Sequence, residues 1–164
     1  INHIRKIIKL EKNVSEVPSK HGWSPYIAKD FLSEKGFATG YYNKLYDDRW
    51  FASSPMVEIG NETTPDDIAY YIEGVEGIAK TLKIKLNVYD SSRSSPSKII
   101  LLELADTLIQ KSLNMKITEA IKNALLAGKP CHERYGEKSI SVDIDLWREQ
   151  KFNGYDIKLT VSSI

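Results

Sequence analysis

The C-terminal part of the chain alternates apolar and polar residues over two segments, and this constrains the fold more than any other feature. The segments are residues 138–147 and 155–161, and Asn153-Gly154 lies between them. A two-residue Asn-Gly loop is the strongest short hairpin signal, because both positions of a type I′ turn require positive φ. The sequence therefore predicts a C-terminal β-hairpin that turns at this pair.

The turn also fixes which side chains share a face of the predicted hairpin. The expected opposing pairs are Phe152 with Tyr155, Leu146 with Val161, and Arg148 with Leu159. The aliphatic face carries Ile140, Val142, Ile144, Leu146, Ile157, Leu159 and Val161. The polar face carries Asp143, Asp145, Trp147, Asp156, Lys158 and Thr160, with Glu149 opposite Lys158. One dry and one wet face are typical of an antiparallel sheet backed by helices.

Helix signals occur in five segments, which are residues 2–13, 24–36, 64–82, 97–113 and 118–128. The first places Ile4, Ile7 and Ile8 on one side, as in a short amphipathic helix. The second and third begin with Ser24-Pro25 and Thr64-Pro65, each an N-cap residue followed by proline. We therefore expect helices over all five segments.

Strand signals occupy two further segments. Residues 37–59 are aromatic and β-prone, and Asp47-Asp48 is the expected turn of a hairpin. Residues 83–89 alternate apolar and polar side chains, as in a half-buried strand. The mixture predicts a single α+β domain over residues 1–164, with a mainly antiparallel or mixed sheet, helices packed on one face and a C-terminal β-hairpin.

Composition restricts the class of protein and its partners. The chain has 164 residues and a net charge of +1, which suits one domain and argues against a dedicated phosphate-backbone binder. Its single cysteine, Cys131, cannot form an internal disulfide, which favours a reducing compartment. Apolar runs fall short of the ~20 residues that a membrane span needs. We therefore predict a cytoplasmic protein that does not enter membranes.

The densest group of reactive side chains is Cys131-His132-Glu133. A cysteine nucleophile needs a nearby base, and a histidine backed by a carboxylate could serve. Adjacent residues rarely point at one another, however, so incidental polar residues in a surface loop are the favoured interpretation. The histidines His3, His21 and His132 match no zinc-site spacing. We predict neither a metal nor a cofactor.

A second candidate chemistry uses the acids of the C-terminal hairpin. Asp143 and Asp145 point the same way on a strand, and Glu149 and Lys151 follow closely. Nucleases of the restriction type combine an acid with a Glu-x-Lys element to hold Mg²⁺ and polarise water. Alternation alone also produces two exposed aspartates. A Mg²⁺-dependent nuclease or other hydrolase is therefore the alternative hypothesis.

The remaining signal is aromatic. Tyr41, Tyr42, Tyr46, Trp50 and Phe51 crowd one predicted hairpin, interleaved with charged residues that include Arg49. Tyr, Trp and Arg dominate protein interfaces, although cross-strand packing inside the fold is the plainer interpretation. Such rings could also stack bases, which makes single-stranded nucleic-acid binding a third hypothesis.

In size, mixed α/β content and lack of a catalytic motif, the chain resembles the small cytoplasmic immunity or inhibitor proteins of bacterial toxin systems. The likeness covers no specific residues and implies no sites. The first hypothesis is therefore a module that binds another protein, a toxin or an enzyme, and neutralises it. The residues predicted to contact that partner are Tyr42, Tyr46, Arg49, Trp50, Asp143, Asp145 and Trp147.

Overall fold

The fold is built on an antiparallel β-sheet, shown by a computed structural model that describes residues 21–93, 95–148 and 153–164. The described residues form eight strands: β1 (Asn43–Tyr46), β2 (Arg49–Ser53), β3 (Val57–Ile59), β4 (Asp66–Val75), β5 (Ile78–Val88), β6 (Cys131–Tyr135), β7 (Lys138–Leu146) and β8 (Tyr155–Ser163). Their order across the sheet is β1-β2-β4-β5-β8-β7-β6, and β3 pairs with β4 beside β2. All these pairs are antiparallel.

Three helices cover one face of this sheet: α1 (Pro25–Ala28), α2 (Ser95–Leu113) and α3 (Glu119–Ala127). α2 packs against β5 and β8, α3 packs against β6 and β7, and α1 packs against β5. The side chains beneath them form a buried core that includes Tyr70, Ile72, Leu82, Ile84, Val142, Ile157 and Leu159. The predicted α+β fold, with its antiparallel sheet, one helical layer and C-terminal hairpin, is confirmed.

Local capping signals place the two longer helices where the sequence predicts them. The hydroxyl of Thr118 accepts a hydrogen bond from the Ile121 N–H at 3.3 Å, and Gly128 ends α3 in the left-handed region with φ 64°. α2 ends at Leu113, as expected. These signals succeed because they are contained within a few consecutive residues.

The segment from residue 24 to residue 36 is helical only in part. α1 is a single turn, and a 3₁₀ turn over Ser33–Lys35 leads to Gly36, whose φ of 90° ends the segment as predicted. The carbonyl of Ala28 accepts hydrogen bonds from the Phe31 N–H and the Tyr70 hydroxyl, so it does not continue an α-helical ladder. The amphipathic helix predicted over residues 2–13 lies outside the described residues.

The helix predicted over residues 64–82 is wrong, because this segment forms β4 and the start of β5. Ile68, Tyr70 and Ile72 lie directly opposite residues of β5. The two strands turn at Gly77, which has a φ of 73°. Pairing with distant strands on both sides of this hairpin overrides the local Thr64-Pro65 helix signal. The strand predicted over residues 83–89 is confirmed as the second half of β5.

Both predicted hairpins exist, but the C-terminal one has a different register. Asp47-Asp48 turns between β1 and β2 as expected, whereas Leu146 pairs with Tyr155 rather than with Val161. Gly154 does not have a positive φ, so no type I′ turn forms at the Asn153-Gly154 pair.

The observed register of β7 and β8 differs from the predicted one by an even number of residues, which leaves every side chain on its expected face. Val142 and Leu159 are therefore buried, as predicted. Leu146 is the exception, because it lies at the end of β7 and is 75% exposed. The expected opposition of Glu149 and Lys158 is also wrong, since Lys158 pairs with Asp143.

Candidate functional site

The face of the sheet opposite the helices carries charged residues in rows that cross several strands. One row consists of Asp67, Asn87, Asp156 and Asp145 on four neighbouring strands. The next row contains Lys85 and Lys158, directly opposite each other. Three carboxylates and one amide thus lie beside a pair of ammonium groups, and of these four residues only Asp145 is exposed.

Two of the residues predicted to bind a partner instead support the edge of the sheet. The hydroxyl of Tyr42 donates to the carbonyl oxygens of Val75 and Ile78 at 2.9 and 3.1 Å. Its ring lies 5.8 Å from that of Trp50, and both side chains are half-buried. Burial raises the pKa of Tyr42 to about 12. This pair therefore corresponds to the cross-strand packing that was the plainer interpretation of the aromatic cluster.

Tyr46 and Arg49 form an exposed pair at the β1–β2 turn. The Arg49 guanidinium donates to the Tyr46 hydroxyl at 2.7 Å and lies 5.3 Å from the centre of its ring. A second guanidinium nitrogen is 3.5 Å from Glu73. Tyr46 is 51% exposed, and Arg49 is also exposed. These contacts hold two side chains of the type enriched in interface hot spots in one orientation.

Asp143 and Asp145 are both exposed on the open face at the other side of the sheet. The Lys158 ammonium lies 2.5 Å from Asp145 and 3.4 Å from Asp156, so it joins two carboxylates that face each other across strands. The hydrogen bond from Lys158 lowers the pKa of Asp145, and the same bond raises the pKa of Lys158. Asp143 accepts a hydrogen bond from the Ser141 hydroxyl at 3.1 Å.

Trp147 is half-buried rather than a free interface residue. Its indole N–H donates to Asp156 at 3.2 Å, and its ring meets Tyr89 edge to face at 5.1 Å. It also packs so closely on Gly154 that a Cβ there would overlap the ring. The indole thus covers the buried end of the carboxylate row and secures the loop between β7 and β8.

The structure describes only part of the site that the nuclease hypothesis uses. Lysine ammonium groups lie against Asp145 and Asp156, and Glu149 and Lys151 lie outside the described residues. Within the described ranges, no group of three histidine, cysteine or acidic side chains is placed to hold a metal ion. A cavity of about 50 Å³ between Asp66, Asp90 and Ser97 has room for water rather than for an organic substrate.

Cys131 and His132 do not form a reactive pair. They lie in β6 rather than in the expected surface loop, and they point to opposite faces of the sheet. Cys131 is half-buried against the helix-side core, whereas His132 is exposed on the open face. Glu133 instead accepts a hydrogen bond from the Thr118 hydroxyl at 2.7 Å.

Sequence reasoning named Tyr41 and Tyr46 but missed three other exposed apolar side chains on the β1–β3 side of the sheet, Leu45, Met56 and Val57. We define the β1–β3 edge surface as Tyr41, Leu45, Tyr46, Met56 and Val57, whose exposed fractions run from 37% to 87%. These are five of the eleven exposed large hydrophobic residues in the described part of the chain. The signal at Leu45, Met56 and Val57 was an apolar residue without a partner in a periodic pattern, which is too weak to stand alone.

Two further observations bear on identity. None of the helices in the described ranges is long and apolar enough to cross a membrane. Comparison of the chain with protein-family models, with curated proteins and with solved structures gave no match. The functional argument for this chain therefore depends on its own geometry.

Proposed function

We propose that this chain is a protein-binding module, specifically a small inhibitor or immunity-type protein that neutralises a toxin or enzyme by covering it. The observation that carries this proposal is the β1–β3 edge surface. Adjacent exposed apolar side chains favour an interaction site, whereas isolated ones are common on any surface. Leu45 and Tyr46 are such neighbours at the end of β1, and each is more than half exposed. Tyr46 and Arg49 supply the polar and aromatic contacts that such a site needs.

The backbone of β1 adds a second supporting feature. All four residues of β1 are exposed, and β1 is the terminal strand of the described sheet on this side. The outer backbone groups of an edge strand can pair with a strand of another protein. Side chains and main chain could therefore contribute to the same interface.

The charges of the open face favour a protein partner over a nucleic acid. The Lys83 ammonium lies 2.9 Å from Glu73, and Lys158 lies between two aspartates. Binding to a phosphate backbone uses a surplus of basic side chains that gain by releasing counterions. Lys83, Lys85 and Lys158 are already paired with acids, so they offer little attraction to phosphate.

The test compares two tyrosine–cation pairs that differ in position. The wild-type chain is used to isolate its partner from the source cell, and affinity for the purified partner is then measured by calorimetry. Because hot-spot residues each contribute about 2 kcal/mol or more, Tyr46→Ala combined with Arg49→Ala is expected to weaken binding at least ~30-fold.

The matched control is Tyr26→Ala combined with Lys29→Ala, because the Lys29 ammonium lies 4.7 Å from the exposed Tyr26 ring on α1 and its flank. This control is expected to bind as the wild type does. If the wild type and both variants bound the partner with equal affinity, the β1–β3 edge surface would be excluded as the binding site. A partner whose activity is unchanged by a stoichiometric amount of the chain would exclude the inhibitor function.

A further inference from the structure

We propose that the outer edge of β7 at residues 143–146, here called the β7 outer edge, accepts an extended segment of a partner protein in which basic and apolar residues alternate. The segment would continue the sheet as an added strand. This inference rests on the proposed protein-binding function, but it concerns a different edge from the β1–β3 edge surface and states the chemistry of what binds there.

The β7 outer edge exists because β7 is longer than its neighbour. The ladder between β6 and β7 ends where Cys131 pairs with Val142. Pro130 precedes β6 and has no N–H, so it could not donate the next hydrogen bond of that ladder. Beyond Val142 no described strand pairs with the outer side of β7. Its backbone groups are therefore placed to form a new ladder.

The side chains of the β7 outer edge specify what an added strand should carry. Asp143 and Asp145 are exposed on the open face, while Leu146, 75% exposed, follows Ile144 on the other face. Within the described residues Asp143 forms no ion pair, and its one hydrogen bond comes from Ser141. Opposite charges directly across two strands are stabilising. On the open face, the added strand should carry lysine or arginine opposite the aspartates. On the other face, it should carry an apolar residue opposite Ile144 or Leu146.

The same charges argue against a second copy of this chain as the occupant. A twofold antiparallel pairing that continues the sheet must place residues of the same face opposite each other. At this edge it would set Asp143 against Asp145, or one of them against its own copy, and like charges directly opposite are destabilising. The edge thus disfavours self-association and selects a basic strand.

The probe is a short capped peptide of alternating lysine and valine, titrated into the full chain and followed by amide chemical shifts. The expected result is a set of shifts centred on residues 142–147. Because each cross-strand ion pair contributes up to about 1 kcal/mol, Asp143→Asn combined with Asp145→Asn should weaken binding roughly tenfold. Glu103→Gln combined with Asp106→Asn, which removes two exposed acids from α2, is the charge-matched control and should leave the affinity unchanged.

Two altered peptides separate strand addition from simple charge attraction. N-methylation of alternate peptide amides removes hydrogen-bond donors but keeps the charge, and a peptide with its lysines grouped keeps the composition but loses the alternation. Both should bind more weakly than the probe. Three outcomes would overturn the proposal: either altered peptide binds as tightly as the probe, the shifts spread over other surfaces, or no shifts appear at millimolar probe. In that case the role of the aspartates would be to prevent strand pairing at an exposed edge.

The outcome is distinguishable from that of the proposed function. The Tyr46→Ala and Arg49→Ala variant should bind the probe as the wild type does, because those residues lie on the opposite side of the sheet. Unchanged affinity of this variant for the natural partner, with the probe still bound by the wild type, would contradict the β1–β3 edge surface alone. Weakened binding of this variant to the natural partner, with no binding of the probe to the wild type, would contradict the β7 outer edge alone.

Discussion

Trp147 donates its indole N–H at 3.2 Å to Asp156, a carboxylate that is only 5% exposed. The bond connects the end of β7 to the start of β8 across a loop, and the same ring packs on Tyr89. One Asp156 oxygen accepts no hydrogen bond among the described residues, although the Lys158 ammonium lies 3.4 Å away. The indole is therefore part of what makes a buried carboxylate tolerable at this position.

Replacement of this donor tests that conclusion. Trp147→Phe keeps a ring against Tyr89 but removes the hydrogen bond to Asp156, so the free energy of unfolding should fall by about 1–3 kcal/mol in urea denaturation. Trp50→Phe is the control, because Trp50 stacks on Tyr42 and its indole N–H donates to no described residue. Equal losses in the two variants would show that ring size, not the hydrogen bond, matters.

A helix cap supplies a second pair of comparable substitutions. Thr118→Ala removes both the cap of α3 and the hydrogen bond to Glu133, and it should lower the free energy of unfolding by about 1–2 kcal/mol. Ser24 is the N-cap residue of α1, as Thr118 is of α3, but the Ser24 side chain forms no capping hydrogen bond. Chemical denaturation should therefore show almost no effect of Ser24→Ala. A comparable loss there would contradict the distinction between the two caps.

Gly74 distinguishes the observed hairpin from the helix that the sequence predicts. In a helix Gly74→Ala would stabilise the protein by about 1 kcal/mol. In the β4–β5 hairpin a Cβ at this position would overlap the Ile78 carbonyl oxygen, so we expect a loss of more than about 2 kcal/mol in thermal or urea unfolding. Gly40→Ala is the control, since nothing lies within 4 Å of its added Cβ. Stabilisation by Gly74→Ala would contradict the hairpin.

The pKa of Tyr42 predicts how stability changes at alkaline pH. Burial raises this pKa from 10.0 to about 12, so the unfolded chain loses the phenolic proton at lower pH than the folded chain does. The folded state then binds more protons between these values, and its stability must fall as pH rises through that window.

Tyr42→Phe isolates this contribution. Near neutral pH the variant should be less stable by about 1 kcal/mol, because the hydrogen bonds to Val75 and Ile78 are lost. The difference from the wild type should shrink above pH 10, since phenylalanine has no proton to lose. Urea denaturation at a series of pH values measures this difference in the free energy of unfolding. If the difference stayed constant up to pH ~12, the raised pKa of Tyr42 would be contradicted.

The caps of α3 and the Thr64-Pro65 signal together show how far local sequence determines the fold. Thr118 and Gly128 define their helix because a cap needs only a few neighbouring residues. Thr64-Pro65 gives an equally strong local signal, yet Asp66 accepts a hydrogen bond from Ser97 at the start of α2 rather than beginning a helix. The partners of that segment include Asn87 and Ser97, which lie twenty or more residues away.

By itself, then, the sequence determined the α+β class and the boundaries of α2 and α3. It also determined the face to which each residue of β7 and β8 points, because every second residue of a strand lies on the same face. Only the tertiary structure decided the register of that hairpin, in which Trp147 packs on Gly154, because alternation is compatible with any shift by an even number of residues. It also divided the predicted contact residues into supports such as Tyr42 and exposed groups such as Tyr46. Exposure depends on distant strands, which no local pattern specifies.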